Sequence, residues 1–217
     1  MTDEPESSES VRFRRRAGAR PTEVLDAALQ CFMRDGFEAT RVEDIAKVAG
    51  ISKATVYLYF PSKLALLEGL IHRAVSPVAK MAKTSILQFE GSAQDAIKIV
   101  LRIVCTKISD PDVSAIPLIV MREAGRFPDI AQYYYDEVIS QILPALIAVV
   151  DRGIASGELR DVDANLSVGN IIGPLVVYML LATVFKTGDL SPKGLDAFLS
   201  NHIDVLFHGL VKGSPKS

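Results

Sequence analysis

Residues 40–63 read TRVEDIAKVAGISKATVYLYFPSK, and this stretch decides the fold of the chain. Thr40 and Glu43 match the S/T-x-x-E pattern in which a hydroxyl and a carboxylate cap the start of a helix. Four apolar residues then recur at the spacing of one helix face: Val42, Ile45, Ala46 and Ala49. Gly50 suits the left-handed position that ends a helix, and Ser52 suits the cap of the next one. The stretch therefore predicts two short helices joined by a sharp turn.

The second short helix is predicted from Ser52 to about Phe60. Val56 and Phe60 lie four residues apart and make its anchoring face, so that its polar and aromatic residues point elsewhere. Residues 11–63 carry ten Lys or Arg against six Asp or Glu, a local charge of +4, although the whole chain has a net charge of −2. A positively charged helix-turn-helix is typical of proteins that place the second helix in the major groove of DNA.

The stretch from Val42 to Lys63 resembles the TetR/AcrR family of bacterial transcriptional regulators. The resemblance also rests on six residues outside that stretch: Ala27, Phe32, Gly36, Thr40, Leu66 and Leu67. It covers about residues 18–78. It implies an all-α fold of about nine helices, with a helix-turn-helix DNA-binding domain at 18–78 whose DNA-reading segment is 41–60. An effector-binding and dimerisation domain is expected at 79–217.

The family's DNA contacts can be carried over by position. The residues at matching positions are Thr40, Arg41, Ser52, Lys53, Ala54, Thr55, Tyr57, Leu58, Tyr59 and Lys63. Val42 departs from members that use a Thr contact there. Leu58 stands where other members have a polar or aromatic residue, so it can meet a thymine methyl group or only pack. The alternative for both tyrosines is that their rings pack on the first helix of the domain, and for both lysines it is solvated charge.

The segment before the helix-turn-helix divides into a tail and a helix. Residues 1–17 are rich in Ser, Glu and Arg and are predicted to be a disordered tail with acidic and basic parts. Its arginines form either an arm that reaches DNA or a solvated tail. A helix is predicted at 21–35, with Pro21 at its first position and Gly36 after its end.

Past residue 80 the resemblance fades, and helical patterning remains. A long helix from Ser62 is expected to be interrupted near Pro77, and to couple the two halves as the family's fourth helix does. Further helices are predicted at 93–109, 113–126, 129–156, 164–186 and 192–211. The part Arg122-Glu-Ala…Arg-Phe-Pro128 resembles the AefR-like subset of the family.

In the family, the helices after the DNA-binding domain enclose a pocket for a small effector. The candidates for that pocket are Met81, Phe89, Ile97, Leu101, Met121, Arg122, Glu123, Tyr134 and Ile142. Each of the apolar ones can equally be ordinary core, and Arg122 and Glu123 can lie at a solvated helix end. The lining favours a small apolar or aromatic effector. The family resemblance implies that such an effector releases a repressor from a palindromic operator.

The last two predicted helices are so apolar that they must be buried against other helices on several sides. Two helices from each of two subunits would make a four-helix interface, as TetR-like proteins do. The predicted interface residues are Ile172, Leu175, Val176, Met179, Leu180, Phe198, Ile203 and Leu206. The apolar run 168–185 is shorter than a membrane span and contains Asn170 and Pro174, so no membrane is expected as a partner.

The sequence lacks the residue patterns that several other functions require. The two cysteines, far apart in apolar patterns, indicate buried thiols and a cytoplasmic protein. Three histidines with no matching ligands predict no metal, and the sequence has no phosphate-binding loop or nucleophile motif, so neither a cofactor nor an enzyme is expected. Two alternatives stay open: a helical lipid-binding or membrane-surface protein, and a small helical enzyme built on Arg122 and Glu123.

Overall fold

The computed structural model describes residues 8–210, with side chains for 21–209. Within these residues the regular structure is entirely helical. The helices are α1 Ser8–Asp35, α2 Val42–Val48, α3 Lys53–Tyr59, α4 Lys63–Leu70, α5 Ser76–Leu87, α6 Ala93–Ile108, α7 Pro111–Glu123, α8 Pro128–Tyr134, α9 Ser140–Ala155, α10 Ala164–Val184 and α11 Pro192–Leu210. The all-α prediction is confirmed.

Two π-helical turns join pairs of these helices without a break. The turn Ile71–Val75 follows α4 and leads into α5, and the turn Tyr135–Ile139 follows α8 and leads into α9. Counted as continuous segments, the described residues therefore hold nine helices, as the sequence predicts. The first turn lies just before Pro77, where an interruption is expected because proline cannot donate a helical hydrogen bond.

The chain divides into two compact units between Leu70 and Ile71, earlier than the boundary expected after residue 78. In the first unit α1 packs against α2 and α4, and α2 packs against α3. The fully buried side chains there include Phe32, Phe37, Ile45, Leu66 and Leu67. These residues come from α1, the segment after it, α2 and α4, and their packing holds the short helices, which would not be stable alone.

In the second unit α6 lies at the centre and packs against α5, α7, α9, α10 and α11. Its inward face is Ile97, Val100, Leu101 and Cys105. The core extends through Leu146 and Val150 of α9 and Ile171 of α10. One continuous core thus joins α5, α6, α9, α10 and α11.

The N-terminal segment differs from its prediction. The structure begins α1 at Ser8, so that Pro21 lies inside the helix rather than at its first position. Arg and Ala are strong helix formers, and they continue the helix ahead of the proline where a disordered tail is expected. Residues 1–7 lie outside the described residues, as do the side chains of the proposed arginine arm.

Candidate nucleic-acid interface

The turn between α1 and α2 is held by Thr40. Gly36 ends α1 at a φ of +87°, a left-handed conformation that suits glycine. The Thr40 hydroxyl lies 2.7 Å from the Gly36 carbonyl oxygen and 3.2 Å from that of Cys31. It is only 2% exposed. Thr40 matches a position that contacts the DNA backbone, but its side chain is buried, and its hydroxyl donates to carbonyl groups at the end of α1 instead.

The cap of α2 lies one residue later than the sequence pattern predicts. The Asp44 carboxylate accepts a hydrogen bond from the Arg41 backbone N–H at 3.2 Å. Thr40 cannot serve as the cap because its hydroxyl is occupied at the end of α1. Glu43, the expected partner in the capping pattern, binds Lys53 instead. Arg41 is exposed at the start of α2, where its predicted contact with the DNA backbone stays a prediction.

Lys63, at the start of α4, also braces this turn. Its ammonium group donates to the carbonyl oxygens of Glu38 at 2.8 Å and Thr40 at 3.0 Å. It also lies 4.7 Å from the centre of the Phe37 ring, within the range of a cation–π interaction. The predicted phosphate contact of Lys63 is thus joined by a structural role that the sequence pattern did not reveal, because its partners are backbone atoms more than twenty residues away.

The turn between α2 and α3 follows its prediction. Gly50 adopts a φ of +67°, and the Ile51 N–H bonds to the Ala46 carbonyl at 3.0 Å, which closes the end of α2. Ser52 is the cap of α3, and its hydroxyl oxygen accepts from the Thr55 N–H at 3.1 Å. These local bonds set the direction in which α3 leaves the turn.

α3 has one anchored side and one exposed side. Val56 is fully buried and Phe60 is half-buried on the inner side. Four of the predicted contact residues are exposed together: Lys53, Ala54, Tyr57 and Leu58. At about 100° per residue they span an arc of roughly 140°, which is one continuous helix face. Thr55 and Tyr59 lie half-buried at its flank, so the two tyrosines do not share a face.

The exposed face of α3 carries one ion pair. The Lys53 ammonium group bonds to the Glu43 carboxylate and lies 5.6 Å from the centre of the Tyr57 ring. The hydrogen bond from Lys53 lowers the pKa of Glu43, and the bond to Glu43 raises the pKa of Lys53. Both side chains are solvent-exposed, so the pair contributes little to stability. The ion pair therefore holds the Lys53 ammonium group beside Glu43 of α2 and near the Tyr57 ring.

The predicted pocket residues do not form a single lining. Ile97 and Leu101 are fully buried in the core, and this correction follows from their place on the inward face of α6. Met81 and Met121 are exposed instead, while Phe89 and Ile142 are half-buried and pack against the core. Apolar periodicity could not separate these positions, because core and pocket surfaces use the same residues.

The polar pocket candidates lie at the end of α7 and in α8. The Arg122 Nε atom donates to Glu123 at 2.9 Å, and the Glu123 carboxylate is buried although Arg122 is exposed. Burial raises the pKa of Tyr134 to about 12. The buried Ser76 hydroxyl at the start of α5 donates to the carboxylate of Glu137, in the second π-helical turn, at 3.1 Å.

A cavity that the sequence did not predict lies between α6 and α11. Its volume is about 620 Å³, and it opens to solvent. Arg102 and Asp196 line it with opposite charges, and Cys105 and Leu199 supply part of its apolar wall. No pattern within α6 or α11 could have indicated it, since it depends on how the two helices pack.

The last helices present one exposed apolar stripe. Leu166, Val177, Leu181 and Val184 of α10 are all exposed, and their spacing puts them within roughly 60° of helix surface. Among the predicted interface residues Leu180 is exposed, while Ile172, Val176, Phe198 and Ile203 are half-buried. Leu175, Met179 and Leu206 are corrected, because they are already buried within one protomer. An all-round apolar helix did not reveal which side faces outward.

Two helices are long and apolar enough to cross a membrane by composition, namely Pro128–Ala155 and Ala164–Val184. Core helices of water-soluble proteins pass the same test, and both helices contribute residues to the core described above. Among the described residues, no three His, Cys, Asp or Glu side chains are grouped as a metal site would require.

Two family models match the chain. Residues 24–70 match the model described as bacterial regulatory proteins, tetR family, and residues 89–189 match a tetracyclin repressor-like C-terminal domain. The transcriptional regulator YvkB of Bacillus subtilis (strain 168) is 33% identical over 157 residues, which are 69% of this chain and 79% of YvkB. The chain belongs to the TetR family. It is a ligand-responsive, DNA-binding transcriptional regulator.

Two further similar proteins come from B. subtilis. The fatty acid metabolism regulator protein of B. subtilis (strain 168) is 22% identical over 154 residues, covering 70% of this chain and 78% of that protein. The crystal structure of the regulator FadR from B. subtilis in complex with stearoyl-CoA matches with a TM-score of 0.70 at 22% identity. That match covers 87% of this chain and 98% of FadR. At this identity the structural likeness shows the TetR-like fold alone.

Proposed function

We propose that this TetR-family chain is a homodimeric repressor that binds a palindromic operator and is released by a small apolar or aromatic effector. The observation that carries the proposal is the exposed face of α3. Lys53, Ala54, Tyr57 and Leu58 lie together on it, opposite the buried anchor Val56. A short helix that presents base-contacting side chains beside phosphate-contacting ones is what the major groove admits.

The remaining candidate contacts surround that face. Arg41 is exposed at the start of α2, and Ser52 is exposed at the start of α3. Thr55 and Tyr59 lie at the flank of the exposed face, where we assign them to the sugar-phosphate backbone. Thr40 supports these contacts only by holding the turn that positions Arg41.

Dimerisation is supported by the exposed stripe on α10. Leu166, Val177, Leu181 and Val184 form an apolar surface that a second copy would cover, and Leu180 lies at its edge. A two-fold axis through this stripe uses the same residues from both protomers, so each apolar side chain meets an apolar surface. The same axis repeats the DNA half-site, which makes the operator a palindrome.

We assign the effector-binding site to the second unit and expect an apolar ligand. Support comes from the half-buried Phe89 and Ile142 beside the core, and from Tyr134, whose phenol group is held in a desolvated place. The relative named as a fatty acid metabolism regulator, and the related structure that contains stearoyl-CoA, make a long-chain acyl thioester the first ligand to test. Release requires that the ligand bind the DNA-free state more tightly than the operator-bound state.

The function is tested with an operator obtained by selecting tight binders from random duplexes. We expect a palindromic consensus, and we expect Tyr57→Ala to weaken binding by at least about tenfold, because its contact with the sugar-phosphate backbone is lost. Stearoyl-CoA is expected to release the DNA, whereas free CoA, which lacks the apolar chain, is the matched control. A wild-type protein that selects no consensus and instead sediments with lipid vesicles after a salt wash would favour the membrane-surface alternative.

A further inference from the structure

Leu58 is the most exposed large apolar side chain of the described residues, with 77% of its surface accessible. A single exposed leucine is ordinary on a protein surface. Leu58, however, follows Ala54 by one helical turn, on the side of α3 that faces away from the anchor Val56. The two residues make a small apolar strip along the face that the proposed function places against DNA.

The polar groups around this strip are engaged within the domain. Lys53 bonds to Glu43, and the Ser52 and Thr55 hydroxyl groups lie 2.8 Å apart in a hydrogen bond with each other. The strip itself has no polar atoms in its side chains. The part of α3 that points outward beside Tyr57 is therefore suited to apolar contact more than to hydrogen bonding with base edges.

The major groove offers one apolar feature that depends on sequence, the C5-methyl group of thymine. We infer that Leu58, with Ala54 beside it, reads a thymine methyl group in each half-site of the operator. This inference rests on the proposed function, because it requires α3 to lie in the major groove. Beyond the proposed function, the inference specifies that each half-site contains a thymine and that Leu58 selects it.

The small side chain of Ala54 is part of the argument. A larger residue at this position would hold the helix away from the floor of the groove, and Leu58 would no longer reach a methyl group. Ala54→Leu is therefore expected to lower affinity for the selected operator without a gain at any other base.

The decisive experiment removes one methyl group from the DNA and, in Leu58→Ala, the isopropyl group from the protein. Each thymine of the selected operator is replaced in turn by deoxyuridine, which keeps the base pair and lacks only the methyl group. For the wild type we expect one symmetric pair of positions at which the replacement weakens binding by about fourfold per half-site, and about 15-fold for both, as the loss of one buried methyl group predicts. In the Leu58→Ala variant the same replacement is expected to have no effect.

Two controls separate this contact from general effects. Leu87→Ala removes the same atoms from another exposed leucine, 70% accessible and on α5, and should leave every affinity unchanged. Thermal unfolding should show no loss of stability in Leu58→Ala, because the side chain makes no buried contact. The Leu58→Ala variant thus gives both the DNA affinity and the thermal stability, so a loss of affinity can be distinguished from a loss of folding.

The outcomes are distinct. Specific binding by the wild type with no thymine position coupled to Leu58 overturns the inference and leaves the proposed function standing. Failure of the wild type to select any operator overturns both. A coupled pair of positions, related by the two-fold symmetry of the operator, supports both.

Discussion

The ammonium group of Lys63 donates a hydrogen bond to the carbonyl oxygen of Thr40 at 3.0 Å, across 23 residues of the chain. A second bond to the Glu38 carbonyl, at 2.8 Å, ties the same turn. Lys63 begins α4 and Thr40 precedes α2, so the contact connects the last helix of the DNA-binding unit to the entrance of the helix-turn-helix. A residue matched to a phosphate contact is thus also part of the scaffold.

Lys63→Ala is expected to destabilise the DNA-binding unit by about 1.5–3 kcal/mol, the range for hydrogen bonds that involve a charged group. Thermal or urea unfolding measures this loss. Lys63→Arg is the matched control that keeps the charge. If unfolding is unchanged and the slope of log affinity against log salt falls by about one unit, Lys63 acts on phosphate rather than on the turn.

Thr40→Val keeps the shape of the side chain and removes its hydroxyl. We expect a loss of about 1–2 kcal/mol in the free energy of unfolding, since the Cys31 and Gly36 carbonyl groups lose a buried donor. Thr84→Val, on the exposed surface of α5, is the control. Equal unfolding free energies for the two variants would contradict the role of Thr40 in the turn.

The Glu43–Lys53 pair predicts a specific pH dependence. Because Lys53 lowers the pKa of Glu43 below its usual value of 4.5, the pair stabilises the fold above the unfolded-state pKa, and this contribution is lost as pH falls through the lowered folded-state pKa. An NMR titration should place the Glu43 midpoint below 4.5 in the wild type. Lys53→Ala should raise it; an unmoved midpoint would show that the pair does not form in solution.

Glu43→Gln is expected to increase affinity for DNA of any sequence, because it removes a negative charge near the phosphates and releases Lys53 to contact them. The slope of log affinity against log salt should steepen by up to about one unit. Glu23→Gln on exposed α1 changes net charge equally and serves as the control. An equal gain from both variants would assign the effect to net charge alone.

Leu181→Glu tests the dimer stripe. Each copy would bring a carboxylate into the apolar surface of its partner, so we expect dimerisation to weaken at least about tenfold, with a parallel loss of operator affinity. Sedimentation measures the association. Leu87→Glu, an exposed site outside the stripe, should stay dimeric, and a dimeric Leu181→Glu protein would exclude this surface as the interface.

The helix-turn-helix was predictable because its signals are local. Gly50 has the positive φ that its place in the turn requires, Ser52 caps α3 through a bond to a residue three positions away, and Val56 is buried as its spacing indicates. Each of these depends on backbone geometry within one or two helical turns. The same reasoning placed Pro77 beside an interrupted helix and predicted about nine helices, in agreement with the nine continuous ones among residues 8–210.

Other roles depended on contacts between distant residues. The sequence pattern predicted Thr40 as a helix cap. In the fold the end of α1 lies beside Thr40, and the hydroxyl bonds to the Cys31 and Gly36 carbonyl groups instead. Leu175 and Leu181 are equally apolar, yet the packing of α6 and α9 against α10 buries the first and exposes the second. The sequence by itself determined most of the helices, the turn between α2 and α3 and the candidate residues for DNA contact. The tertiary structure decided which of them are scaffold and which are surface, because burial and hydrogen-bond partners arise from segments that no local pattern brings together.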